Sequence, residues 1–137
     1  MTPCPFCQLA DNHDELLASN KYAVAFLDIN PIRSGHVLII PKHHEPDFFQ
    51  LDDETYLDIM RLAKQIAKAQ EQVFNPMKVG MLVAGMDVPH ARLHLIPMHD
   101  YHDITSKQML EGTVTKASDE ELRESKDKLV QALDSAA

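Results

Sequence analysis

His90, Arg92 and His94 alternate with Ala91, Leu93 and Leu95 inside the stretch Val88-Pro89-His90-Ala91-Arg92-Leu93-His94-Leu95-Ile96-Pro97. Successive side chains of an extended chain point to opposite faces. The spacing therefore predicts a strand over 88–96, with Ala91, Leu93 and Leu95 in a core and two imidazoles and a guanidinium on the other face. An imidazole can serve as nucleophile, general acid or base, or metal ligand, whereas a guanidinium stays protonated and grips oxyanions through a planar fork of donors. One histidine on a half-exposed strand is ordinary. Three aligned nitrogen bases describe an active-site ridge, or the remains of one.

The second chemical signal is Cys4-Pro5-Phe6-Cys7, which holds both cysteines of the chain. In a reducing compartment a C-x-x-C pair reads as a metal knuckle or a redox pair before it reads as a structural disulfide. A thioredoxin-type role would place the pair between a strand and a helix of a βαβ unit, and here it stands at the start of the sequence. A closed structural zinc site needs four ligands, so two must come from elsewhere. His99 and His102 are spaced for a helical turn, but their Asp neighbours and the preceding Pro97 favour a solvated loop over a second metal site.

Positioning these groups requires an α+β domain. Lys21 to Asp28 and His36 to Ile40 are apolar runs rich in β-branched residues, separated by Asn30-Pro31 and Ser34-Gly35, and they predict a hairpin-like pair. A third strand is expected over Lys78 to Ala84. Between them Asp52 or Asp53 can cap a helix with Tyr56, Ile59, Met60, Ala63, Ile66, Ala67 and Val73 at helical spacing, ending near Asn75-Pro76. A short helix is expected after Cys7. Ser118 with Glu121 reads as a capping box opening a helix to about Leu133, with Leu122, Leu129, Val130 and Leu133 on its apolar side.

At 137 residues the chain fits one domain with a real core. Its net charge of -8 argues against a surface that tracks the phosphates of a long nucleic acid, though one local cationic cluster suffices for a small nucleotide. No apolar run approaches a membrane span, and Met1-Thr2-Pro3-Cys4 lacks a signal-peptide pattern, so a cytoplasmic location is the default expectation.

The 88–97 stretch resembles the histidine triad of the HIT superfamily, His-x-His-x-His followed by apolar residues. Ala25-Phe26-Leu27-Asp28-Ile29-Asn30-Pro31 and Gly35-His36-Val37-Leu38-Ile39-Ile40-Pro41-Lys42 are similar to the family's nucleoside-binding strand pair. The likeness covers roughly residues 4 to 104. It implies an antiparallel sheet carrying a long helix, with a C-terminal helix added. A HIT domain over 1–105, the C-x-x-C segment included, would share one single domain with a helical extension over 106–137. It also implies a homodimer acting on small purine nucleotides by hydrolysis or nucleotidyl transfer, with dinucleoside polyphosphates or nucleoside phosphoramidates as substrates. Bacterial members and related uridylyltransferases bind zinc, and their ligand positions match Cys4, Cys7, His44 and His90, with His43 a competing neighbour.

The resemblance further implies that Phe26 and Ile29 wall a base pocket and that Asp28 accepts from the ribose hydroxyls. Asp28 also suits a plain turn, which Asp, Asn and Pro favour by themselves. His90 and His94 match the outer triad positions, and His36 is either a partner buttressing the triad strand or a packed core imidazole. The departures are specific. The family's nucleophile position is Arg92, which has no lone pair with which to attack phosphorus but can hold phosphate. Where many relatives carry a Gly-Gln-Ser or Gly-Gln-Thr turn, this chain has Gly85-Met86-Asp87. Gly85 permits close backbone approach to a ligand, Met86 donates nothing, and an ionised Asp87 would repel phosphate. Three functions remain open: a HIT-type hydrolase or transferase, a catalytically inactive nucleotide-binding or interaction module, and a structural dimer with an idle pocket.

Overall fold

The computed structural model describes residues 4–84, 88–104 and 115–136. In chain order the elements are α1 (Pro5–Ala10), β1 (Ala18–Ser19), β2 (Ala23–Leu27), β3 (Val37–Pro41), α2 (Asp53–Phe74), β4 (Lys78–Val83), β5 (Leu93–Met98) and α3 (Asp119–Ala136). Five strands form one antiparallel sheet in the order β1-β2-β3-β5-β4. This is the α+β architecture expected from the apolar patterning.

Strands β2 and β3 are covered on both faces, which explains why they are apolar at consecutive positions. On one face Ala23, Ala25, Val37, Ile39, Leu93 and Leu95 meet Ile59, Leu62, Ala63 and Ile66 of α2 and Leu129 and Ala132 of α3. The C-terminal helix thus shares its core with the sheet. On the other face Val24, Phe26, Leu38 and Ile40 pack under Phe6 and Leu9 of α1 and Leu16. Register carries polar groups onto this second face, because His94 lies opposite both Leu38 of β3 and Leu82 of β4, and Leu38 lies opposite Phe26.

Helix α2 starts after Asp52, whose side chain makes no capping bond, and ends at Asn75, which adopts the left-handed conformation at φ 46°. A left-handed C-terminal residue followed by proline stops a helix for backbone reasons, so the expected end near Asn75-Pro76 follows directly. Helix α3 is opened by Ser118, whose hydroxyl accepts from the Glu121 N–H at 3.1 Å, and it runs on to Ala136.

Several boundaries differ from expectation. The strand predicted over 88–96 begins only at Leu93 and continues to Met98. Upstream, the backbone is engaged elsewhere: the Ala91 N–H donates to Glu45 O at 2.6 Å and the His90 N–H to Val88 O at 2.8 Å. Strand β2 starts at Ala23 and not Lys21, because the Tyr22 N–H is taken by Asp58 and the Ala23 N–H by the Asn20 side chain. His36 precedes β3, its N–H bonded to Arg33 O in a turn. The first helix contains Cys7 instead of following it. Strand β1, two residues long, is too short to leave a periodic signal. Pro97 is tolerated in an inner strand because β3 pairs with β5 only from Leu93 to Leu95, leaving the proline nitrogen past the end of that ladder.

Candidate functional site

Gly35 sets the approach to the site. Its φ of 86° suits glycine, and a Cβ there would fall 2.2 Å from the Phe74 ring, so the chain can turn tightly over α2 only without a side chain. Gln70, fully buried, donates its amide to Gly35 O at 2.8 Å and to Leu95 O at 3.1 Å, tying this turn to β5. The next residue, His36, is thereby delivered beneath His94.

The two imidazoles form an ordered chain. The Ile32 N–H donates to His36 Nδ1 at 3.1 Å, so that nitrogen carries the lone pair and the proton of the neutral ring sits on Nε2. His36 Nε2–H then donates to His94 Nδ1 at 2.9 Å, and His94 Nε2–H is left to donate, here to Ala84 O at 3.2 Å. Burial, with the neighbouring His94 adding to it, pushes the His36 pKa down to about 3, so the ring stays neutral. The same tautomer closes the cluster of Asp28, His36 and His94 to a metal ion. A cation on His36 Nε2 would force the proton onto Nδ1, against the Ile32 N–H. His36 is therefore both buried in the core and a partner of His94.

Arg92, only 6 % exposed, emerges from the same face one step before β5. Its Nη1 donates to Val88 O at 3.2 Å and its guanidinium carbon lies 5.1 Å from the centre of the Phe6 ring. Arg92 and His94 line a cleft of about 860 Å³ whose apolar wall includes Phe6, Phe26 and Leu38 and whose rim carries Asp28 and Ile29. Asp28 uses Oδ1 to accept from the Asn30 N–H at 2.9 Å, while Oδ2 sits 3.5 Å from His36 Nε2. It is at once the turn residue and a residue of the cleft rim. Gly85, Met86 and Asp87 lie outside the described residues.

His90 turns away from Arg92 and His94. Its Nε2–H donates to Pro41 O at 3.0 Å, which leaves the Nδ1 lone pair facing Cys4 Sγ and Cys7 Sγ, each at 3.4 Å. Cys7 Sγ is also 3.2 Å from His44 Nδ1. The ligand atoms of Cys4, Cys7, His44 and His90 all lie within 4.8 Å of one another. This His90 tautomer, fixed by a backbone carbonyl, is the one a metal-bound imidazole adopts. Burial pushes the Cys7 thiol up to about 11, with the bond to Cys4 and the charges of Cys4 and Asp11 adding to it. A cation would reverse that, since a coordinating thiol is deprotonated. Two thiolates and two imidazoles fit tetrahedral zinc. His43 is exposed and outside this cluster.

The structure thus divides the expected ridge. Arg92 and His94 share the cleft with Phe26, Asp28 and Ile29; His36 supports His94 from below; His90 joins the cysteines. His99 precedes, and His102 lies within, a short turn at Tyr101–Asp103 closed by a capping box between Asp100 and Asp103, and neither histidine joins a ligand cluster among the described residues. Three contributors escaped the sequence reading. Phe6 packs on Arg92, the carbonyls of Pro41, Val88 and Ala84 orient the polar side chains, and Leu122, Arg123 and Lys126 of α3 line the cleft. Lys126 also donates to Asp14 O, and the Ala117 N–H to Ile29 O at 2.9 Å. The position of Phe6 between two candidate ligands was a usable signal, whereas the reach of α3 left none.

The HIT domain family profile matches residues 10–101. The chain is 38% identical over 100 residues to the adenosine 5'-monophosphoramidase HNT1 of Saccharomyces cerevisiae, covering 71% of this chain and 63% of that protein, less than two thirds of its length. It is 36% identical over 97 residues to the adenosine 5'-monophosphoramidase hnt1 of Schizosaccharomyces pombe, covering 69% of this chain and 73% of that protein. The crystal structure of a zinc-bound histidine triad family protein from Mycobacterium smegmatis superposes with a TM-score of 0.75 at 26% identity, over 98% of this chain and 97% of that one. With the family profile matching residues 10–101 and relatives above 30% identity, the chain belongs to the HIT family.

Proposed function

We propose that the protein binds an adenosine nucleotide, with its base against Phe26 and Ile29, its ribose on Asp28 and its phosphate between Arg92 and His94, and that it has lost covalent catalysis. The observation that carries this reading is the placement of a buried guanidinium on the cleft wall where relatives of this family have their nucleophile. A family member attacks the α-phosphorus with the middle imidazole and later releases the nucleotidyl group to water or another acceptor. Arg92 cannot take that role, because a guanidinium offers no lone pair at any accessible pH. It can bind the phosphate with charge-assisted donors. His94, its Nδ1 committed to His36, would turn its Nε2–H from Ala84 O to the same phosphate. The monophosphoramidase relatives make AMP and its amides the first ligands to test.

Four residues, Cys4, Cys7, His44 and His90, would hold a structural zinc, which supplies a positive charge and a cross-link between α1, the segment after β3 and the approach to β5. The thiols fit a reducing cytoplasm. A homodimer paired along β4 accounts for that strand: it is an edge of the sheet, and Met81 and Val83 are exposed at 48 % and 39 %. Light scattering should give twice the chain mass, and Met81→Glu should halve it.

Calorimetric titration of AMP and adenosine into the parent protein, Arg92→Ala and Asp28→Ala tests the binding reading. A charge-assisted phosphate contact contributes about 1.5–3 kcal/mol, so AMP should bind the parent about ten- to a hundredfold more tightly than adenosine. Arg92→Ala should erase that preference. Asp28→Ala should weaken both ligands, because it acts on the ribose they share. Equal binding of AMP and adenosine by the parent, or none, ends the reading.

A further inference from the structure

Phe6 belongs to three environments at once. It lies in the chain between Cys4 and Cys7. Its ring centre is 5.1 Å from the Arg92 guanidinium carbon, 5.7 Å from the Phe26 ring and, edge-on, 6.2 Å from the His90 ring. It therefore touches a candidate metal ligand, the cationic group of the cleft and the cleft's apolar wall. The helix that carries it is six residues long and its N-cap, Cys4, makes no side-chain capping bond. A helix so short does not persist by itself. Its position depends on the packing of Phe6, Leu9 and Ala10 on the sheet and on whatever fixes Cys4 and Cys7.

We infer that metal binding and nucleotide binding are linked through Phe6: a metal on Cys4, Cys7, His44 and His90 anchors α1, holds the Phe6 ring against Arg92, and so pre-sets the guanidinium for a phosphate. The inference rests on the phosphate-binding role of Arg92 given above. A guanidinium held over an aromatic face by cation–π attraction has fewer orientations open to it. A ligand that finds the fork already oriented avoids the entropy of ordering a long side chain. With the metal gone, α1 loses its cross-link and that ordering falls to the nucleotide. His90 strengthens the connection, since its imidazole contacts Phe6 while its ring nitrogens join Pro41 O and the sulfurs.

Linkage is reciprocal, so two measurements must agree. In the first, zinc-loaded and zinc-free protein are titrated with AMP and with adenosine. AMP should bind the loaded form roughly fivefold or more tightly, and adenosine should differ by less than about twofold. In the second, zinc is competed away from loaded protein with a colorimetric chelator without nucleotide, with saturating AMP and with saturating adenosine, so that coupling through folding of the zinc-free chain shows with both ligands and coupling through Arg92 with AMP alone. AMP should raise the apparent zinc affinity by the same factor. Phe6→Leu keeps an apolar group against Phe26 but removes the ring face. It should hold one zinc per chain, bind AMP no more tightly than the zinc-free parent does, and show a coupling below about twofold in both measurements.

Equal AMP affinity with and without zinc, or coupling of the opposite sense, overturns the link while leaving the phosphate role of Arg92 standing. An equal zinc effect on adenosine overturns the route through Arg92, because that ligand has no phosphate. Undiminished coupling in Phe6→Leu overturns the role of the ring. If AMP binds no form better than adenosine does, the Arg92 role itself fails and the link falls with it.

Discussion

His36 makes a testable statement about acid stability. Its ring is 1 % exposed, and its pKa is pushed from the ordinary 6.5 down to about 3 by burial and by His94. A depressed histidine pKa means that the unfolded chain binds the proton more readily than the native one. Stability is therefore complete above pH 6.5, falls as pH drops below it, and stops falling from this group near pH 3. Between pH 7.5 and pH 5 the unfolded imidazole becomes almost fully protonated while the native one does not, and the difference amounts to about 2 kcal/mol, or 1.5 pH units at about 1.36 kcal/mol each. Other groups shift in the same direction: His90 is lowered chiefly by burial, and Asp103 is lowered by backbone N–H bonds and Arg33 against a burial effect that raises it. The comparison must therefore be differential. His36→Gln places a non-titrating amide N–H where Nε2–H donates to His94. Urea unfolding of parent and variant at both pH values should show a loss about 2 kcal/mol smaller in the variant. Equal losses would mean that His36 is accessible to protons in the native state, and the ordered chain from Ile32 to Ala84 would have to be abandoned.

Three further outcomes follow from the same geometry. Arg92→His should produce a nucleotidyl adduct visible by intact mass after incubation with an adenosine phosphoramidate or a diadenosine polyphosphate, and should raise AMP release on the order of a hundredfold or more; a folded variant with neither shows that more than the nucleophile is missing. Gly35→Ala should cost about 2–4 kcal/mol in urea unfolding, because a methyl group at positive φ would also meet the Phe74 ring, and a loss below about 1 kcal/mol would contradict the described turn. Elemental analysis of protein purified without chelator should find about one zinc per chain, and a metal-free preparation of undiminished thermal stability rules out the structural role.

Sequence alone determined what depends on local pattern. The period of Ile59, Ala63 and Ile66 with the Asn75-Pro76 stop defined α2, alternation placed Leu93 and Leu95 in the core with His94 opposite, and the C-x-x-C pair demanded distant partners. The family likeness of the 25–42 and 88–97 blocks named those partners and marked position 92 as the departure. Tertiary structure decided what depends on groups far apart in the chain. His90, Arg92 and His94 look equivalent in a strict alternation, yet Ala91 is hydrogen-bonded to Glu45 and the strand starts only at Leu93, so His90 swings to the cysteines and leaves the cleft. The tautomers of His36 and His90 are set by one amide and one carbonyl, from Ile32 and Pro41, and neither is visible as a residue type. Those two backbone groups make one imidazole cluster closed to metal and the other open to it. Residue identity supplies the nitrogen, and the folded backbone decides which nitrogen carries the proton.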